Sequence, residues 1–365
     1  MTTPRFPLAP GSTIGVLGGG QLGRMLAAAA ARLGFDVAVL DPDPAAPAAR
    51  VAAHAVAGAY DDPAALARLA ALSDVVTFEF ENVPAAAVET LVAEGAEVAP
   101  SGRALAVSQD RLTEKTFLAE IGAPTVAFAE VNGAKDIETA LETLGRPLLV
   151  KSRRGGYDGK GQAWVQRPEE AAAVFAAIGA QAAIAEAPAD FRRELSVIAA
   201  RGRDGEIALF PLAENHHEAG ILRRTVAPAS ASAQTAAQAE RIAASLLAAL
   251  DYVGVIGIEL FERDDGRLLV NEFAPRVHNT GHWTLDGCEA DQFEQHIRAV
   301  AGWPLAPAHA IARVEMTNLI GDDAADWRRL SAEPETRLWL YGKAEARPGR
   351  KMGHVNRLSA LKGRT

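Results

Sequence analysis

Glu259 and Glu272 are the two residues of this chain whose placement points most directly to chemistry. They lie in two apolar runs, Val255 to Glu262 and Leu268 to Phe273, which flank Arg263-Asp264-Asp265-Gly266-Arg267. Asp-Gly is a strong signal for a two-residue hairpin turn. With Asp265 and Gly266 in the turn, Asp264 pairs with Arg267 and Glu259 falls directly opposite Glu272. Opposed residues share one face of a sheet, with Cβ atoms about 5 Å apart. Two carboxylates there repel, and the flanking Ile256, Ile258, Leu260 and Val270 argue against simple solvation. A hard divalent cation bound through oxygen resolves the conflict, which suits Mg²⁺. The bland alternatives are an exposed edge hairpin and a turn shifted by one residue.

A second cluster, Lys151-Ser152-Arg153-Arg154-Gly155-Gly156-Tyr157-Asp158-Gly159-Lys160-Gly161-Gln162, mixes glycines with cations. Glycine lets such a loop wrap closely round a polyphosphate, and the cations match its charge. The loop does not fit the P-loop pattern, and it joins two strands rather than preceding a helix. It therefore reads as a lid. Gly18-Gly19-Gly20-Gln21-Leu22-Gly23 literally fits the dinucleotide fingerprint, with Asp41 near the expected acidic position. A tight strand-to-helix turn, or another anion at the helix start, explains it equally well. In Thr77-Phe78-Glu79-Phe80-Glu81-Asn82 a continuing strand would put Glu79 and Glu81 on one face. Arg276-Val277-His278-Asn279-Thr280-Gly281-His282-Trp283 is dense in donors, and its His pair lacks the helical pattern of a zinc motif. Arg347 to His354 is a glycine-interrupted basic turn that is either solvated or holds a phosphate.

These clusters need elements to position them. Thr13 to Leu17 reads as a buried strand, Gln21 to Leu33 as a helix and Val37 to Leu40 as the next strand. Asp62-Pro63 reads as cap and first turn of a helix through Leu66, Leu69 and Leu72. Val75 to Phe80 reads as a third strand. This alternation predicts a parallel α/β layer over about 1–108. Ser108 to Glu120 reads as a connecting helix. Pro147 to Val150 and Ala163 to Val165 read as strands bracketing the lid loop, with a helix at Glu169 to Ile178. Ile184 to Ala200 and Ile207 to Leu212 look strand-like, and Ser230 to Leu250 and Asp291 to Val300 helical. A short strand, Arg337 to Tyr341, precedes the basic turn.

The chain has 365 residues, 37 Lys plus Arg, 46 Asp plus Glu and a formal net charge of −9. With 49% hydrophobic residues it can bury a sizeable core, which excludes a disordered chain. The acidic balance argues against coating nucleic acid. A single cysteine, Cys288, excludes an intramolecular disulfide or a thiolate-built zinc centre. Neither a signal peptide nor a membrane span is expected, so the cytoplasm is the expected location.

Lid loop, acidic hairpin and preceding α/β domain, in this order, resemble the ATP-grasp enzymes. The segments GGGQLGRM, TFEFENV, GGYDGKGQ and NEFAPRVHNTGHWT narrow the resemblance to the 5-(carboxyamino)imidazole ribonucleotide synthase family. That family carries out an ATP-dependent ligation, joining bicarbonate to the amine of aminoimidazole ribonucleotide. The resemblance implies an N-terminal α/β domain (1–108), a linker helix and α+β lid lobe (109–187), an antiparallel catalytic lobe (188–305) and a β-rich C-terminal piece (306–365). It implies ATP and Mg²⁺ as cofactors and a homodimer.

Carried over residue by residue, Arg111 and Lys151 would contact ATP phosphates, with Gly156, Tyr157, Asp158, Gly159, Lys160, Gly161 and Gln162 covering them. Glu186, Ala187, Pro188 and Ala189 look like the adenine hinge, where Pro188 lacks an N–H and so shifts the contact to Ala189. Glu194 would hold the ribose and His217 the nucleotide. Asn271 joins the ATP site, and Glu259 and Glu272 match the metal ligands, with Ala274 standing where many ATP-grasp enzymes have a ligating Asn. Arg276, His278 and Asn279 would face the reacting groups. Gly20, Gln21, Glu79, Arg350 and Lys351 would seat the ribonucleotide. The nearest rival is a formate-using glycinamide ribonucleotide enzyme, which shares the nucleotide site. A dehydrogenase built on the first glycine loop leaves the lid and the acidic hairpin without a purpose.

Overall fold

Short apolar runs set the first layer. The computed structural model describes residues 6–155 and 160–361. In it Thr13–Leu17 (β1), Asp36–Asp41 (β2), His54–Ala57 (β3) and Val75–Phe78 (β4) form a parallel sheet in the order β3-β2-β1-β4. The run expected as a third strand to Phe80 is thus the fourth, and it stops at Phe78; the Glu79 amide still donates to the Leu17 carbonyl at 3.0 Å, while its side chain bonds the glycine loop. Helix Pro63–Leu72 begins as predicted, with the Asp62 carboxylate accepting the Ala64 amide at 2.9 Å. The helix expected from Ser108 to Glu120 forms from Arg111 to Glu120, and Ser108 instead ends a separate helix, Gly102–Ser108, so the expected run is interrupted at its start. Asp110 breaks it by accepting the Leu112 and Thr113 amides at 3.1 and 3.2 Å, a cap that competes with helical continuation.

The second layer is an antiparallel sheet of Phe128–Val131 (β5), Leu148–Ser152 (β6), Gln162–Val165 (β7) and Ala183–Glu186 (β8), in the order β5-β8-β6-β7. Helices Ala134–Thr143 and Ala171–Ala177 cover one face, burying Ile137, Leu141 and Val174 against Val131, Val150 and Val165.

The third sheet has nine strands and is antiparallel: Arg193–Arg201 (β9), Ile207–Leu209 (β10), Ala213–Glu218 (β11), Ile221–Ala227 (β12), Gly254–Glu262 (β13), Leu268–Ala274 (β14), Arg313–Ile320 (β15), Thr336–Leu340 (β16) and Lys351–Ser359 (β17). Its order is β14-β13-β9-β11-β12-β15-β17-β16, with β10 beside β9. The run Ile184 to Ala200 divides between two sheets at Pro188, which cannot donate to a ladder. Pro211 likewise follows the short β10. Hairpin β11–β12 was not anticipated, since Ala-Glu-Asn-His-His-Glu is mostly polar. The C-terminal strands extend this same sheet through β12–β15 pairing. Helix Gln292–Ala301 packs Phe293 and Ile297 with Leu26 and Ala30 of helix Gln21–Arg32, tying the first sheet to the third.

Candidate active site

The acidic hairpin does bring Glu259 and Glu272 face to face. The turn is not the two-residue form. Arg263 donates its amide to the Arg267 carbonyl at 2.9 Å, leaving Asp264-Asp265-Gly266 as a three-residue loop with Gly266 at φ +77°. That choice shifts the pairing by one residue, so Leu260 faces Val270. A bulge then restores it: Asn271 has no partner, and Glu259 faces Glu272.

Burial, and next the facing Glu272, push the Glu259 carboxyl up to about 7, while the Asn271 side chain bonds to it and lowers it. The arrangement fits a divalent cation on its own chemistry, because two hard oxygen donors are held together at an electrostatic cost that a positive charge removes. Among the described residues no group of three His, Cys, Asp or Glu could hold a metal ion. The remaining coordination positions therefore fall to water or substrate oxygens.

Below the hairpin, Lys151 on β6 donates to Glu186 Oε2 at 2.7 Å. Glu186 is buried and its other oxygen lies 3.8 Å from Lys115 Nζ. Glu186 thus sits behind Lys151. The Ala187 amide donates to the Ala127 carbonyl and Pro188 has none, so Ala189 keeps the remaining amide of the three hinge residues. Glu194 and His217 Nδ1 are bonded to each other. Burial would lower the imidazole, but this bond together with the charges of Glu194 and Glu259 outweighs it and raises His217 above its ordinary range.

At the opposite end, the glycine turn is already filled by the protein's own acids. Gly20 and Gly23 donate amides to Glu79, the latter at 2.6 Å, and Gly19 donates to Asp41 at 2.7 Å. A side chain at position 20 would place its Cβ 2.5 Å from Glu79. The helix N-terminus is capped internally, which removes the pyrophosphate seat a dehydrogenase needs. Arg276 Nε donates to Glu81. Burial works to raise Glu81, yet the guanidinium prevails and draws it to about 2. His278 packs Nδ1 against the Thr280 hydroxyl at 2.9 Å, with Nε2 3.5 Å from Glu259. Burial, then the charge of Arg276, push this ring down to about 3, so it is neutral. Asn279 and Asn318 exchange amide hydrogen bonds at 3.0 and 2.8 Å.

A cavity of about 600 Å³ joins these groups. Arg111, Lys151, Lys160 and Gln162 line it on the lid side, and Glu194, His217, Glu259, Asn271 and Glu272 along the central sheet. Arg276, His278, Asn279, Gln21, Glu79 and Lys351 also line it. Gly20, Gly161, Glu186, Ala187, Pro188, Ala189 and Arg350 do not line it; Arg350 donates to the Glu345 carbonyl at 2.9 Å. Gly156, Tyr157, Asp158 and Gly159 lie outside the described residues. Sequence reasoning missed Glu114, Lys115, Asn318 and Lys343. Burial, then Glu272, raise Glu114 to about 8, and burial, then Arg350, lower Lys343 to about 8. The i, i+3, i+4 spacing of Arg111, Glu114 and Lys115 was the one available signal that all three share a helix face.

Three family models match in series. The ribonucleotide synthetase preATP-grasp domain covers residues 12–109, the ATP-grasp domain 116–293, and the phosphoribosylaminoimidazole carboxylase C-terminal domain 315–363. A curated N5-carboxyaminoimidazole ribonucleotide synthase of Brucella melitensis is 54% identical over 96% of this chain and 97% of its own length. The solved ADP complex of an N5-carboxyaminoimidazole ribonucleotide synthetase is 39% identical, with TM-score 0.93 over 98% of this chain and 94% of the other. An Aspergillus clavatus N5-carboxyaminoimidazole synthase, solved with ADP and 5-aminoimidazole ribonucleotide, is 34% identical, with TM-score 0.90 over 96% and 94%. At these identities and over this coverage, the chain belongs to the N5-carboxyaminoimidazole ribonucleotide synthase family of ATP-grasp ligases.

Proposed function

We propose that this protein uses ATP to carboxylate the amine of 5-aminoimidazole ribonucleotide with bicarbonate, giving N5-carboxyaminoimidazole ribonucleotide, ADP and phosphate in purine biosynthesis. The observation that carries this reading is the single cavity, which runs from the lid cations past Glu259 and Glu272 to Gln21, Glu79 and Lys351. Nucleotide and acceptor can then react without leaving it.

Glu259 and Glu272, with Asn271 beside them, would hold Mg²⁺, which when bound offsets the charge on the transferred phosphoryl group. Lys151 and Arg111 bind the triphosphate, and the lid residues, including Lys160 and Gln162, cover it. A bicarbonate oxygen bonds to the γ-phosphorus as the bond to the ADP oxygen breaks. The product is carboxyphosphate. Arg276, its plane held by Glu81, carries the bicarbonate anion and the charge that develops on it. Carboxyphosphate is short-lived in water, so the closed lid excludes solvent until the amine bonds to the carboxyl carbon and phosphate departs. His278 is neutral and faces this region, where it accepts a hydrogen bond from the attacking amine, whose proton leaves with the departing phosphate. Gln21, Glu79 and Lys351 seat the ribonucleotide. The same reading makes the protein a cytoplasmic homodimer acting on small molecules; no described helix is long and apolar enough to cross a membrane.

The test is ADP and phosphate release with bicarbonate or formate, each alone and paired with aminoimidazole ribonucleotide or glycinamide ribonucleotide. Release that requires both bicarbonate and aminoimidazole ribonucleotide is expected. Turnover with formate and glycinamide ribonucleotide instead would reject the assignment. Glu272→Gln is expected to fold and to lose turnover.

A further inference from the structure

The bulge at Asn271 is the feature on which the acid pair depends. Without it the distal register would continue, and Glu259 would face Asn271. A one-residue slip moves every later side chain to the opposite face. Glu272 would then lie across from Ile258, among the apolar contacts beneath the sheet. Bulges disrupt the ladder and leave carbonyls and amides in need of other partners. Here those partners come from one helix and the turn that follows it.

Lys115 is 2% exposed, and all three of its donors are used. Nζ donates to the Asn271 carbonyl at 2.7 Å, to the Val270 carbonyl at 3.2 Å and to the Thr125 hydroxyl at 2.8 Å. The Thr125 hydroxyl donates in turn to the Val270 carbonyl at 3.0 Å. The Val270 amide donates to the Pro124 carbonyl at 2.6 Å. On the far side of the bulge, the Phe273 amide donates to Glu114 Oε1 at 2.7 Å. Every contact falls on residues 270, 271 or 273, immediately around Glu272.

We propose that Lys115 and Thr125, assisted by Glu114, are positioning residues that hold the β14 bulge and thereby keep Glu272 on the face of Glu259. The inference rests on the reading of that acid pair as a metal site. It assigns Lys115 no contact with the nucleotide: its ammonium is spent on carbonyls at the free edge of β14 and on Thr125. Lys115 also faces Glu186 at 3.8 Å, and Glu186 grips Lys151. The clamp therefore joins the metal-binding strand to the lid strand through one buried acid.

The experiment measures Mn²⁺ binding by electron paramagnetic resonance of free Mn²⁺, with and without saturating ADP, and ADP binding in the presence of EDTA. Three proteins are compared: wild type, Lys115→Met and Thr125→Val. Lys115→Met is expected to weaken Mn²⁺ by about 10- to 100-fold, as loss of a partner behind a metal ligand does. Its metal-free ADP affinity is expected to stay within about twofold of wild type, since Lys115 does not touch the nucleotide. Thr125→Val keeps the shape and is expected to weaken Mn²⁺ by roughly fivefold, the worth of about one hydrogen bond. If Lys115→Met does not fold, Thr125→Val decides: a selective loss of Mn²⁺ supports the clamp, and an unchanged Mn²⁺ constant overturns it. Equal losses of metal-free ADP and Mn²⁺ binding would also overturn it, because a general distortion moves both. Wild-type protein that binds Mn²⁺ no better with ADP than without would overturn the metal reading itself, and the clamp with it. Normal wild-type binding with unaltered variants would remove the clamp alone.

Discussion

Arg276 and Glu81 illustrate how one residue's charge is kept where a reaction can use it. The guanidinium donates to Glu81 and, at 3.0 Å, to the Val277 carbonyl. Two bonds from a rigid fork fix its plane. Glu81→Gln should leave Arg276 charged but loosely held. The expected loss is about 2 kcal/mol, or roughly 30-fold in kcat/KM for bicarbonate, the scale of a charged hydrogen bond. Steady-state kinetics with bicarbonate varied provide the check, and nucleotide binding should be unaffected. Glu259 makes a prediction about pH. Its carboxyl titrates near 7 in the folded chain against an ordinary value of 4.5, raised first by burial and then by Glu272. The folded state therefore binds more protons than the unfolded state between pH 4.5 and 7, so this group's contribution to metal-free stability falls as pH rises through that window. A bound divalent cation favours the ionised form, so the extra melting temperature conferred by Mg²⁺ and ADP should grow from pH 5.5 to pH 8, which are about 1.5 units below and 1 unit above that value. Melting curves across that range test this, and Glu259→Gln should flatten the trend.

Helix Arg111–Glu120 is the element that organises the site's floor, and Asp110 starts it. The Asp110 carboxylate caps the Leu112 and Thr113 amides and also accepts Arg153 Nε at 3.0 Å, linking the helix to the start of the lid loop. Asp110→Ala should cost about 1–2 kcal/mol from the cap alone, measured by urea unfolding. Asp110→Asn keeps an acceptor for the cap and should cost less, while loosening Arg153. Burial would raise the Asp110 carboxyl, but the Arg153 bond, the Thr113 amide and the charges of Arg153 and Arg154 together outweigh it, and the net shift is downward. This contribution is therefore present at neutral pH and lost on acidification. How far such elements can be read from sequence varies for physical reasons. The opposed acids were legible because hairpin arithmetic predicts their pairing. Yet the two-residue turn assumed there is really a three-residue loop, and the bulge at Asn271 cancels the resulting error. Neither feature has a local signature strong enough to separate it from the alternative. Asp62-Pro63 was legible because a cap acts over two residues. Lys115 was not, since a lysine on an amphipathic helix ordinarily faces water, and only the partner strand reveals that it is buried. Glu186 matched the adenine hinge by resemblance. Its carboxylate lies between Lys151 and Lys115, a contact that depends on how two sheets meet.

At the scale of the whole molecule, the three sheets meet on one cavity, but they contribute different ends of it. Lys151 comes from the lid sheet and Lys351 from β17, far along the order of the nine-stranded sheet from β14. Both line the cavity, with Glu259 and Glu272 between them in function. If nucleotide and ribonucleotide occupy separate ends, the two lysines should fail separately. Lys351→Met should raise KM for the ribonucleotide by about 10- to 100-fold, the loss of about one charged hydrogen bond, and leave stabilisation by ADP with Mg²⁺ intact. Lys151→Met should weaken that stabilisation and leave ribonucleotide binding to the nucleotide-free protein unchanged. Melting shifts with each ligand alone, together with steady-state KM values, separate the two cases. A single chamber in which both ligands contact both lysines predicts the opposite, with each variant weakening both ligands. That outcome would require the phosphates of the two substrates to share a cationic seat, and transfer would then have to occur by exchange at one position rather than between two.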